Sequence, residues 1–277
     1  MPALAPLREV IARHGLDARR ALGQHFLLDG NLTDRIVRQA GPLAGVHVIE
    51  VGPGPGGLTR SLLASEAASV TAVEVDPRAV AAIEELAEQI GPRLLVVAAD
   101  ALATDLTTLT PAPRQIVANL PYNIATPLLI GWLRRNVEAP GSYTRFTLMF
   151  QQEVAERICA APSTPAYGRL AVLAQWLCRT ELILRIPAAA FVPPPRVTSA
   201  VVGLIPHDIQ PPAALFAAME RLTAAAFGQR RKMLRGALAK LGGAELLARA
   251  DIAPERRAET LSIAEFDRLA RLLSDGC

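Results

Sequence analysis

No stretch of this 277-residue sequence is apolar for long enough to cross a bilayer as a helix, which takes about 20 residues. Arg8, Glu9, Arg13 and Asp17 interrupt the first apolar stretches, so the continuous core of a secretory signal is also missing. The expected location is therefore the cytoplasm, with no membrane partner. Cysteine is scarce: Cys159, Cys178 and Cys277 show no CxxC spacing and no histidine cluster, which argues against a zinc site, any other metal centre or a disulfide framework. Neither sign of charge dominates, since 29 Lys and Arg against 26 Asp and Glu leave a net +3, a balance that permits a polyanionic partner without demanding one. Internal repeats and low-complexity tracts are absent as well. What is present is a hydrophobic content of 51%, enough for one large domain with an appendage or for two modest ones.

Near-continuous apolar runs at 46–51, 69–75, 93–98 and 115–118 read as buried parallel strands. Helical spacing at 57–65, 77–90 and 125–135 separates them, the second helix opening behind Asp76 as cap with Pro77 at its first position. Alternation of this kind predicts a doubly wound α/β sheet. A fifth strand at 145–150 and a helix over 151–160 follow. Two more strand-like runs, 181–186 and 197–205, are joined by a proline-rich connection that suggests an antiparallel pair. Beyond a linker at 207–212 the chain reads as helical: 213–227, a basic segment over 229–240, a piece near 245–250, and 263–274 behind a capping box of Ser262 and Glu265.

Chemistry gathers at the strand ends. Glu50-Val51-Gly52-Pro53-Gly54-Pro55-Gly56-Gly57 follows the first core strand and opens a helix, where glycines let a ligand approach the backbone. A tight turn serving packing alone is the alternative, and Glu74 at the end of the second strand, placed to accept ribose hydroxyls, weighs against it. Pro53 and Pro55 remove two N–H donors from a loop that would otherwise cradle a pyrophosphate, which favours a nucleoside cofactor without phosphate, such as S-adenosylmethionine. Asp100 ends the third strand, as an acceptor for an adenine amine or as a cap for the segment after it. Asn119-Leu120-Pro121-Tyr122 ends the fourth and pairs a side-chain amide with an aromatic ring, a combination suited to a flat base carrying an exocyclic amine, although the same residues also serve ordinary turns.

With these residues in place, the chain resembles the ribosomal RNA adenine N6-dimethyltransferases, most closely those of the bacterial small subunit. The resemblance rests on Leu22-Gly23-Gln24-His25-Phe26-Leu27, the glycine loop, Glu74, Asp100, Asn119 to Tyr122, Phe191 to Val197 with its triple proline, and Phe227-Gly228-Gln229-Arg230-Arg231-Lys232-Met233-Leu234-Arg235. It implies a seven-stranded, Rossmann-like S-adenosylmethionine-dependent methyltransferase sheet over 1–206 and a small all-helical RNA- or ribosome-binding domain over 207–277. It also implies that His25 and Leu27 line the cofactor site, that Gly52 approaches the methionine part, Glu74 the ribose and Asp100 the adenine, that Gly54 belongs to the same cofactor-binding loop, and that Asn119 sits beside the reactive methyl. Many members of that family carry Asn where this chain has His25, so that contact is expected from the imidazole or from backbone.

The mechanism expected is one of positioning. An adenine amine is a poor nucleophile because its lone pair is conjugated with the ring. The Asn119 side chain and the Leu120 carbonyl are expected to accept its two hydrogens, Pro121 to stiffen the turn, and Tyr122 and Phe191 to hold the two faces of a flipped adenine. Arg230, Arg231, Lys232 and Arg235, with Arg19 and Arg20, are the candidate phosphate contacts, a solvated face being the alternative. The implied substrate is a pair of adjacent adenosines near the 3′ end of 16S rRNA within the 30S subunit, modified during its biogenesis by a monomer. A large-subunit rRNA methyltransferase of the resistance type, a DNA adenine methyltransferase and a noncatalytic ribosome-assembly or nucleic-acid-binding factor are the competing readings.

Overall fold

A computed structural model of the protein describes residues 4–16, 25–229 and 231–274. Its strands are β1 (Phe26–Leu27), β2 (His47–Val51), β3 (Ser69–Glu74), β4 (Leu94–Ala98), β5 (Arg114–Asn119), β6 (Arg145–Gln151), β7 (Cys178–Ile186), β8 (Phe191–Val192) and β9 (Ser199–Pro206). Helices α1 (Leu7–Arg13), α2 (Gly30–Gln39), α3 (Gly57–Ala64), α4 (Pro77–Ile90), α5 (Ala125–Glu138), α6 (Gln152–Ile158), α7 (Arg169–Leu177), α8 (Ala213–Gly228), α9 (Leu234–Ala237), α10 (Gly243–Arg249) and α11 (Ile263–Ser274) complete the regular structure.

Seven strands form one sheet in the order β4-β3-β2-β5-β6-β9-β7. The β2 to β6 strands run parallel, and β9 lies antiparallel to β6, with Phe146 opposite Leu204. Because the order reverses between β2 and β5, their carboxyl ends diverge and leave a crevice, the position where open α/β sheets bind ligands. Val48, Val70, Val117, Met149 and Val201 from the sheet pack with Leu62 of α3 and Ile83 of α4. Each such side chain contributes about 1.5–3 kcal/mol on burial.

The expected strands and the capped helices are present. Asp76 accepts from Arg78 N at 3.1 Å to cap α4, and Ser262 and Glu265 exchange bonds of 3.2 and 2.7 Å in a capping box before α11. Three features differ from the sequence reading. Among its described residues the basic segment expected over 229–240 holds only the short α9 and the start of one turn of 3-10 helix at 239–241, which ends at Gly242 with φ +104°. The helices α1, α2 and α7 were not anticipated. Nor was the small antiparallel sheet in which Phe26 pairs with Val192 and Leu27 with Phe191.

The chain forms two compact units that interleave along the sequence. One comprises Met1–Trp132, Gly141–Ala155 and Glu181–Ile205, the other Leu133–Pro140, Glu156–Thr180 and Pro206–Cys277. The second has its own aromatic core, in which Phe227 stacks on Phe266 at 5.6 Å and meets Tyr167 edge-on at 6.1 Å. The Tyr167 hydroxyl donates to Leu261 O at 2.9 Å. Cys178 is buried and burial pushes its thiol up to about 12, so it is a packed, unreactive side chain. Among the described residues no group of acidic, histidine or cysteine side chains is arranged to hold a metal, and no helix is long and apolar enough to cross a membrane.

Candidate functional site

The glycine loop is held by its own neighbours. Gly52 N donates to Val73 O at 2.9 Å, Gly56 N to Pro53 O at 3.0 Å and Gly54 N to Glu74 Oε2 at 3.4 Å, while Pro53 and Pro55 have no N–H. The loop therefore offers little to a pyrophosphate. Its glycines serve close approach instead. A Cβ on Gly57 would fall 2.4 Å from Leu27 O, and one on Gly54, where φ is +56°, would fall 2.9 Å from the Phe26 ring. Both positions seat the short strand β1 directly on the loop.

Together these elements enclose a cavity of about 240 Å³ at the carboxyl ends of β2 to β5. His25, Leu27, Gly52, Gly54, Glu74, Asp100 and Asn119 to Tyr122 all line it, so the structure brings together every expected cofactor residue and the whole tetrapeptide. Glu74 is buried at one wall, its Oε1 accepting from Val75 N at 2.8 Å and Asp76 N at 2.9 Å. Burial raises its carboxyl above the ordinary range, and the three backbone donors work against that rise. Asp100 is exposed at the mouth and accepts from Leu102 N at 2.9 Å, so it closes a local turn while facing the cavity.

Asn119 Nδ2 donates to His25 O at 3.1 Å. That bond commits the amide nitrogen and leaves Oδ1 as an acceptor. Tyr122 is half-buried, shares a 2.5 Å hydrogen bond with Ser199 Oγ, and is kept neutral by burial, which raises its phenol above the usual value. One face of its ring meets the His25 imidazole, 5.8 Å between centroids at 28°. His25 Nδ1 in turn lies 2.9 Å from Pro193 O. The imidazole thus ties the N-terminal segment to the proline connection, and His25 contributes both a ring and a backbone carbonyl to the site.

Phe191 is the expectation that fails in this conformation. It is 1% exposed, does not line the cavity, and packs in the sheet core beside Leu27 and Leu184. The register of β1 on β8 turns it inward, so it has no free face with which to clamp a base. Of the phosphate candidates, Arg231, Lys232 and Arg235 are exposed on the second unit, Arg235 lying 3.9 Å from Glu255 Oε1. Arg19, Arg20 and Arg230 lie outside the described residues.

Sequence reasoning missed several residues at the cavity. Val75 and Leu102, 63% and 49% exposed, offer apolar faces beside Glu74 and Asp100, where a flat base can lie. The signal was a large apolar residue one or two positions beyond each strand-end acid. Phe26 also lines the cavity, between the two positions that were named. Glu50 was quoted only as the start of the glycine motif. It lines the cavity floor, is 1% exposed, and its Oε2 has no hydrogen-bond partner. A carboxylate at the end of an otherwise apolar parallel strand was the available clue.

Comparison with known proteins fits this geometry. The family model described as ribosomal RNA adenine dimethylase matches residues 15–275. A protein of Gluconobacter oxydans named ribosomal RNA small subunit methyltransferase A is 59% identical over 270 residues, spanning 98% of this chain and 88% of that protein. Its namesake from Paramagnetospirillum magneticum is 55% identical over 274 residues, spanning 99% and 96%. Among solved structures, a dimethyladenosine transferase from Plasmodium falciparum superposes with a TM-score of 0.75 at 25% identity, over 88% of this chain and 96% of that one. The 23S rRNA methyltransferase ErmE gives a TM-score of 0.65 at 26% identity, over 90% and 99%.

Proposed function

The chain belongs to the ribosomal RNA adenine dimethylase family, and from that premise we propose that it transfers methyl groups from S-adenosylmethionine to the N6 amines of two adjacent adenosines near the 3′ end of 16S rRNA. It is an rRNA adenine dimethyltransferase of the small-subunit type, in keeping with the family model and with relatives at 53–59% identity named ribosomal RNA small subunit methyltransferase A. The single observation that carries the chemistry is the Asn119 amide, anchored through Nδ2 to His25 O with Oδ1 left to accept.

The residues present fit the cofactor. Glu74 suits ribose hydroxyls, Asp100 with Val75 and Leu102 suits adenine, and among the described residues no lysine or arginine lines the cavity, which leaves its carboxylates to favour a cationic ligand. When bound, S-adenosylmethionine supplies an electrophilic methyl on a sulfonium. The chain's part is positional. Asn119 Oδ1 and the Leu120 carbonyl accept the two amine hydrogens and draw the nitrogen toward a pyramidal shape, directing its lone pair at the donor. Pro121 holds the turn close to Gly52, where a Cβ would fall 3.4 Å from Pro121 Cδ. Tyr122 supplies the stacking face, and its hydrogen bond to Ser199 fixes the ring plane. No general base is needed before attack, because the alkylated nitrogen is acidic and can release its proton to water or a carbonyl.

The exposed Arg231, Lys232 and Arg235 are assigned to rRNA phosphates, and the acceptor is the small subunit during its biogenesis, bound by a monomer in the cytoplasm. Incubating the protein with labelled S-adenosylmethionine and undermethylated small or large subunits tests this. Label is expected in small-subunit RNA. Incorporation into large-subunit RNA alone would transfer the chain to the resistance-type reading.

A further inference from the structure

The cavity floor holds one group that the mechanism above does not use. Glu50, on β2, is fully buried, has an unpartnered Oε2 and lines the cavity. Among the described residues the groups facing it include no lysine or arginine: Glu74 from the end of β3, the Thr59 hydroxyl from α3 and, across the cavity, Asp100 and His25. Asp76, further along the turn after β3, is already paired with Arg78 at 2.6 Å. A buried carboxylate surrounded in this way lacks a counter-charge until a ligand brings one.

We propose that Glu50 is the cation-sensing carboxyl of this cavity, holding a proton while the site lacks a positive charge and releasing it when the cationic methyl donor enters. The inference rests on reading the cavity as the S-adenosylmethionine site. In the step the Glu50 O–H bond breaks, its electron pair stays on the carboxylate, the proton passes to solvent buffer, and the ligand's cationic end becomes the counter-ion. Burial pushes the Glu50 carboxyl up to about 8, with the Thr59 hydroxyl opposing and Glu74 reinforcing that rise, so the proton is in place at neutral pH. Glu50 is a positioning residue: it sets when the cavity accepts a charge and takes no part in methyl transfer.

The test is calorimetric titration of the full chain with S-adenosylmethionine near pH 7, repeated in buffers of different ionisation enthalpy. The wild type is expected to release close to one proton per ligand bound beyond the amount released by Glu50→Gln. The variant supplies the baseline for protons lost by the ligand's own amine, which titrates near pH 8. Affinity of the wild type is expected to rise with pH up to about 8, at most about tenfold per unit, relative to the variant. Binding by the wild type with no more proton release than Glu50→Gln overturns the role of Glu50 and leaves the cofactor reading intact. Failure of the wild type to bind S-adenosylmethionine at all overturns both. Should Glu50→Gln not fold, Glu50→Asp and the wild-type dependence of heat on buffer carry the same test, since an absence of linked proton release in the wild type alone contradicts the proposal.

Discussion

Asn119 acts through an oxygen whose orientation is fixed by what the nitrogen on the same amide is doing, namely donating to His25 O. In the proposed mechanism, replacing Asn119 by Ala removes an acceptor that matters most in the transition state. Turnover is expected to fall about 10²-fold or more while S-adenosylmethionine affinity changes only a few-fold. Single-turnover kinetics alongside equilibrium binding separates the two, and equal losses would make Asn119 mainly a cofactor ligand. Tyr122 divides similarly. Tyr122→Phe keeps the stacking face and loses only the bond to Ser199, so it is expected to retain most activity, whereas Tyr122→Ala loses the platform, costing about 1–3 kcal/mol of base binding. Glu50 adds a stability signature. Its native carboxyl keeps its proton up to about 8, whereas the unfolded chain loses it near 4.5, so the unfolded state binds fewer protons between those values and stability falls as pH rises. Denaturant titrations of ligand-free protein should show Glu50→Gln gaining on the wild type from pH 4.5 to about 8, by up to about 1.4 kcal/mol per pH unit, and levelling above that.

Among the elements, β1 depends on two glycines that no helix or strand rule singled out for the purpose. Gly57→Ala pushes a Cβ into Leu27 O, and the expected result is a loss of about 1–3 kcal/mol in stability, accompanied by weaker cofactor binding as β1 lifts from the loop. Thermal melts and binding measured on the same variant check both. The sheet strands were legible because β-branched runs such as Val70 to Val73 carry their own period, and the strand-end acids were legible from their offsets. The β1 and β8 pairing was not, because two-residue strands carry no period and their register links residues 26 and 192 across most of the first unit's sequence. Phe191 shows the consequence. Its motif suggested a base clamp, yet which way its ring points is decided by that register, which turns it into the core. Glu50 was hidden differently, by a motif whose glycines drew attention away from the acid preceding them.

For the whole molecule, the cavity and the proposed RNA contacts fall to different compact units, the cavity in one and the exposed Arg231, Lys232 and Arg235 in the other. Replacing Arg231 and Lys232 together by Ala should weaken binding to small-subunit RNA and reduce the steepness of its salt dependence by about 1.5 in log–log slope, for two lost phosphate contacts. Cofactor affinity should not change. An unaltered slope would return this segment to a solvated face. The division of labour has one product as its consequence, and the most direct measurement is the identity of the nucleoside made. Small subunits lacking the modification, incubated with the protein and S-adenosylmethionine, digested and analysed by mass spectrometry, should yield N6,N6-dimethyladenosine from two adjacent positions near the 3′ end of 16S rRNA. Finding no dimethyladenosine there, or methylation at another atom, would contradict the account.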